Sequence, residues 1–371
     1  MTDLAQPIAS EAPSASARAV TLIDCDVHAQ PAPAMLTPYM SQRARRYIER
    51  YGRQTPSEKH TYPRARGSGN RLDAWPQRPG VPPGGDPELL RSQLLDEWDI
   101  DYAVLEVMAS LDSYDEPAVV TEVASAVNDW LMAEWLDFDA RLRAAIVVAH
   151  EYPAEAIAEI ERRAADPRFV AVFMPAGLQE QLGSRKYWPI YEAATGLGLP
   201  IAFHTGGYTS LKGAGPQSYY LGYHVQISCA MQSQLASMVA GGVFEAIPDL
   251  RVILTECGLS WATNLRWSLD AAWELMREDH PQVKRRPSEY IRDHVWFTTQ
   301  PIEEPDDPKH LVYAIEEAQL SDRLVFATDY PHWDFDSPAQ ALPRTISKEL
   351  RAAIFAGNAL DLYGLPQEVM R

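Results

Sequence analysis

Asp26 and His28 stand two residues apart at the end of the apolar run TLIDCDVHAQ, residues 21–30. In a strand, alternate side chains share a face, so these two point together while Cys25 and Val27 point away. An acid and an imidazole on one face can hold a divalent cation. Other apolar runs also stop on a polar residue: Glu106 after YAVL, His150 after AAIVVA, His204 after PIAF, Glu256 after RVILT, Gln300 after VWFTT and Asp329 after LVFAT. Core packing does not require so many ionisable groups at these positions. Asp26, His28, His204 and Asp329 offer nitrogen and oxygen donors for one ion, with a position left for water or substrate. A bound ion lowers the pKa of its water toward about 7, and Asp329 can take or return the proton. His150, followed by the turn EYP, reads as a hydrogen-bonded structural residue.

Eight strand-like runs must position these groups: 21–27, 102–107, 144–150, 170–175, 200–205, 251–256, 295–300 and 324–329. Amphipathic stretches separate them. Val119, Val123, Val127, Trp130 and Leu131 form one helical stripe behind the start signal Asp115-Glu116-Pro117. Met231, Leu235, Met238, Val239 and Val243 form another, in a helix expected to begin near Ser228, and a helix from Trp188 to Leu197 stops at Gly198. Strands alternating with helices predict an α/β fold, a (β/α)₈ TIM barrel with its chemistry at the C-terminal strand ends. Without residues 29–87 the span from Leu22 to Asp329 is about 250 residues, the usual size of such a barrel. An open doubly wound sheet lacks its Gly-rich phosphate loop here. Residues 29–87, with RARGSGNR and RPGVPPGGDP, read as a long irregular insertion after the first strand, serving as lid, surface excursion or dimer arm.

The 371 residues carry 51 acidic and 33 basic side chains, net −18, which disfavours nucleic acid and anionic membrane as partners. Three cysteines, Cys25, Cys229 and Cys257, make no disulfide framework and suit a reducing compartment. No run is long and apolar enough to span a bilayer. Residues 1–20, rich in Ala, Ser and Pro, lack the pattern of a secretory signal and read as a disordered lead-in before one domain, 21–371, so a cytoplasmic location is expected.

IDCDVH, IAFHT and FATDYPHWD resemble the first-, fifth- and eighth-strand motifs of the amidohydrolase superfamily, in the branch that includes the aminocarboxymuconate-semialdehyde and resorcylate decarboxylases; LLDEWDIDYAVL is similar to the passage after the first loop. The resemblance runs over residues 20–362 and implies one Zn²⁺ or Mn²⁺ held by Asp26, His28, His204 and Asp329, a small-molecule substrate and, in many members, a homodimer. Two departures stand out. The first pair is Asp-x-His rather than His-x-His, a harder donor set. Strand six carries Glu256 where the decarboxylases have a catalytic His, and an ionised Glu would repel a substrate carboxylate unless protonated or metal-bound.

These readings favour a metal-dependent hydrolase of a small carbonyl compound or cyclic acid derivative, with Asp329 or Glu256 moving the proton. Non-oxidative decarboxylation of an aromatic or unsaturated acid is the alternative, and a barrel that only binds is the third. His224 can enter the pocket as an acid or cap a helix, and His332 can stand behind Asp329 or touch substrate. Trp333, Tyr219, Tyr220 and Tyr223 can line an aromatic pocket. Arg266 can meet substrate or pair with Glu256.

Overall fold

The computed structural model describes residues 17–52, 69–207 and 219–370. Residues 1–16 of the expected lead-in and 53–68 of the insertion lie outside them, as do the side chains of Tyr223 and His224. Eight parallel strands follow one another in order: β2 (Ile23–His28), β3 (Tyr102–Glu106), β4 (Leu142–Val147), β5 (Phe169–Gly177), β6 (Ile201–Gly207), β7 (Val252–Thr255), β8 (Val295–Thr298) and β9 (Leu324–Val325). They are the eight strands expected from the sequence. Their near-continuous Val, Ile, Leu and Ala content suits strands covered on both faces. Helices occupy the crossovers, including Pro117–Trp130, whose Val119 amide donates to the Glu116 carboxylate at 2.9 Å. The helix Trp188–Gly196 gives way to Gly198 at φ +73°, a left-handed position that glycine adopts without a Cβ clash.

The first and last barrel strands meet through bonds beyond the end of β9. Cys25 N donates to Phe326 O at 2.9 Å, His28 N to Tyr330 O at 2.7 Å and Asp329 N to Asp26 O at 3.1 Å. These close the cylinder and fix Asp26, His28 and Asp329 to one another. Inside it, Ile23, Val104, Ala145, Ala202, Ile253 and Trp296 pack in one cluster with Tyr363, Leu365 and Val369, which plug the N-terminal end. A short antiparallel pair, β1 (Ala17–Ala19) with β10 (Glu368–Met370), lies next to that plug.

Four details depart from the sequence reading. Ala17–Ala19 is a strand, because its pairing partner is at the far end of the chain. The 29–87 insertion is not irregular throughout: Gln42–Tyr51 is a helix started by Ser41, whose hydroxyl accepts from Ala44 N, with Ala44 buried and Tyr47 and Ile48 against the core. The helix expected near Ser228 runs from Tyr220 to Gly241, so His224 sits in its first turns and not in a loop. Cys25 packs with the barrel interior while Val27 packs outside, because the register slips between Asp24 and Val27 and breaks the simple alternation.

Candidate active site

The C-terminal rim gathers carboxylates and imidazoles from five strand ends. Donor atoms of Asp26, His28, His204 and Glu256 all lie within 4.8 Å of one another, and so do those of His28, Glu256, Asp329 and His332. The two sets share His28 and Glu256. His28 Nε2 is 3.4 Å from Asp26 Oδ1 and 3.0 Å from Asp329 Oδ1; His204 Nε2 is 3.7 Å from Asp26 Oδ2 and 3.3 Å from Glu256 Oε2. Three of the four expected ligands thus stand in the first set beside Glu256, while Asp329 reaches it through His28.

Backbone partners orient both rings. His28 Nδ1 lies 3.1 Å from Glu106 O and His204 Nδ1 lies 2.6 Å from Thr205 O. A carbonyl partner requires the proton on Nδ1, which turns the Nε2 lone pair of each ring toward the cluster. Both Nε2 atoms are buried without a hydrogen bond, as are both oxygens of Asp26 and Glu106 and Oδ2 of Asp329. Buried polar atoms are otherwise almost always paired, so this concentration of orphans fits a cation. Glu256 and Asp329 also hold φ at +54° and +59°, a region that costs a non-glycine residue about 1–3 kcal/mol. Strain at both carboxylates turns them off their strands and into the cluster.

Burial pushes the Glu256 carboxyl well up, and the nearby Asp329 adds to it. Burial does the same to Glu106, with Asp26 adding. Burial works against ionised Asp329 too, but the charge of His332, its bond to Asp329 and the nearby His28 outweigh it and hold Asp329 below the usual carboxylate range. His332 Nδ1 lies 2.6 Å from Asp329 Oδ1; burial pulls that imidazole down, Asp329 overrides it, and the ring reaches about 9. His204 is likewise driven up by Asp26 against its burial. A divalent cation supplies the positive charge that this proton provides and replaces it on Nε2. The donor set therefore fits one divalent ion, with oxygen-rich coordination suited to Mn²⁺ as well as Zn²⁺.

Arg266 does not meet Glu256. Its guanidinium donates to Glu317 O at 3.1 Å and Gln319 Oε1 at 2.6 Å, ahead of β9 and so toward the opposite end of the barrel. Trp333 is at the rim, 46% exposed, with Nε1 donating to Tyr220 Oη at 2.7 Å; Tyr219 is exposed. His150 is buried and held down to about 4 by desolvation, a neutral ring. It lines, with Tyr114, Glu151 and Gln179, a cavity of about 290 Å³ beside the ends of β3 to β5. None of the clustered donors lines that cavity, and the chemistry follows the unpaired donors rather than this hollow. Glu106 is the residue that sequence reasoning left without a role. Its signal was present, a carboxylate closing the apolar run YAVL, but only the register opposite His28 brings it to the cluster.

The Amidohydrolase family profile matches residues 23–365. Among solved structures, an amidohydrolase from Mycobacterium avium subsp. paratuberculosis K-10 superposes with a TM-score of 0.69 at 22% identity, over 93% of this chain and 99% of that one. A dihydroxybenzoic acid decarboxylase from Polaromonas sp. JS666, with bound manganese and the inhibitor 2-nitroresorcinol, gives 0.66 at 19%, over 93% and 97%. The 5-carboxyvanillate decarboxylase of Sphingomonas paucimobilis gives 0.64 at 20%, over 94% and 100%. At these identities the likeness is one of fold.

Proposed function

The chain belongs to the Amidohydrolase family, and from that premise we propose that it is a metal-dependent decarboxylase of a small aromatic or unsaturated carboxylic acid. The observation that carries this reading is the burial of Glu256 beside Asp329, which pushes its carboxyl well up from the usual range. An ionised glutamate there would repel a substrate carboxylate, but a buried, neutral carboxyl both tolerates it and has a proton to give. Four buried carboxyls, Asp26, Glu106, Glu256 and Asp329, carry one negative charge more than one divalent ion and the His332 imidazolium cancel, which favours a shared proton in the cluster with the ion bound.

Asp26, His28, His204 and Asp329 would hold the ion, which supplies Lewis-acid attraction for a carboxylate and a neighbouring oxygen. Glu256 gives its proton to the carbon that carries the carboxylate; the carbon–carbon bond then breaks, its electron pair returns to the ring or double bond, and CO₂ leaves. Glu256 regains a proton from solvent. His332 keeps Asp329 ionised and in place. The decarboxylases of the same fold give this reading its company.

Hydrolysis is the second reading, favoured by the ionised Asp329, a base with an unpaired Oδ2 facing the cluster. One experiment separates the two. Protein loaded with Mn²⁺ or Zn²⁺ is offered phenolic acids, lactones and amides in D₂O. Decarboxylation releases CO₂ and leaves one deuterium on the vacated carbon; ring opening of a lactone or cleavage of an amide, with no CO₂ from any acid, would reverse the order of the readings.

A further inference from the structure

Asp24 has no part in the chemistry above, yet it is fully buried where the two ends of the barrel meet. Its Oδ1 accepts from Asp26 N at 3.3 Å and from Thr328 N at 3.0 Å, and its Oδ2 accepts from Thr328 Oγ1 at 2.6 Å. Thr328 Oγ1 in turn accepts from Tyr330 N at 3.2 Å, and Tyr330 O accepts from His28 N at 2.7 Å. The circuit encloses Asp329, whose own amide donates to Asp26 O. One side chain thus ties together the backbone of Asp26, the residue before Asp329 and, through Thr328 and Tyr330, His28.

We infer that Asp24 is the positioning residue of the metal centre: it holds Asp26, His28 and the left-handed Asp329 at ligating distance across the barrel seam. β9 has only two residues in regular pairing, and its ladder ends at Val325, before Asp329. The side chain of Asp24 does there what a strand partner does elsewhere. The inference rests on the reading that this cluster binds a divalent cation, and its consequence is that metal affinity depends on a side chain that cannot itself ligate while it is engaged by Thr328 and Asp26.

The test is the Mn²⁺ dissociation constant, read by electron paramagnetic resonance of free Mn²⁺, for chelator-stripped wild type, Asp24→Asn, Thr328→Val, Thr328→Ser and Asp101→Asn, with thermal melts of each metal-free protein. Asp101 is the control. It is equally buried, just before β3 and beside the start of β2, and accepts from Thr21 N at 2.7 Å, Leu22 N at 3.1 Å and Arg18 at 2.6 Å. Asp24→Asn and Thr328→Val are expected to weaken Mn²⁺ binding about 10- to 100-fold, the usual effect of losing a group that orients ligands. Thr328→Ser keeps the hydroxyl and stays near wild type, and Asp101→Asn lowers the melting temperature without changing the dissociation constant. Wild-type affinity in Asp24→Asn, or an equal loss in Asp101→Asn, overturns the inference while leaving the proposed function standing. A wild type that takes up no Mn²⁺ or Zn²⁺ overturns both.

Discussion

Glu256 shows how a single residue can mean different things in sequence and in space. Read alone, it is an anion where a decarboxylase needs a neutral group; buried and near Asp329, its carboxyl is pushed toward the neutral form although His204 Nε2 stands 3.3 Å away and opposes the shift. Glu256→Gln keeps the shape and removes the proton, so turnover should fall by about 10²-fold or more in a steady-state assay, with bound metal counted in the same samples. His150 makes a separate prediction. Its folded value of about 4 lies below the 6.5 of the free side chain, so the unfolded chain takes up a proton first as pH falls. Stability should therefore be unaffected by this residue above about pH 6.5 and decline progressively toward pH 4, by up to roughly 3 kcal/mol. Urea midpoints at pH 7 and pH 5 should differ less in His150→Gln than in wild type.

At the scale of elements, what could be read from the sequence was what local pattern encodes. Every barrel strand, the stripe from Val119 to Leu131 and the stop at Gly198 follow from hydrophobic period and backbone preference, and the Asp26 and His28 pair follows from strand ends. Pairings between distant segments leave no such trace. Ala17–Ala19, Ala-Arg-Ala, has no strand-forming pattern of its own and becomes a strand only through Glu368–Met370; the slip after Asp24 reverses Cys25 without changing composition; Arg266 is carried toward the other end of the barrel by the helix Trp261–Met276. Asn128 is another long-range device. Its side chain donates to Val147 O at 2.8 Å, accepts from Val147 N at 2.9 Å and donates to Glu159 at 2.8 Å, so a helix finishes the hydrogen bonding of β4. Asn128→Leu strands those buried groups and should cost about 2–4 kcal/mol in guanidinium unfolding, with Mn²⁺ uptake per folded molecule unchanged.

The whole molecule carries a net charge of −18, and no helix among the described residues is long and apolar enough to cross a membrane. An acidic surface attracts divalent cations and repels carboxylates, and salt screens both. Raising NaCl from about 20 to about 200 mM should weaken apparent Mn²⁺ affinity while leaving kcat/KM for an anionic substrate the same or higher. A neutral lactone should be indifferent to salt once the metal is saturating. The seam between β2 and the segment after β9 also sets a schedule. His28 and Asp329 are 301 positions apart, so at a ribosomal pace of roughly 10 residues per second about half a minute separates their synthesis. Throughout that interval the nascent chain has the first imidazole of the cluster without its last acid, and a product truncated before residue 329 lacks both that acid and two of the bonds that close the cylinder.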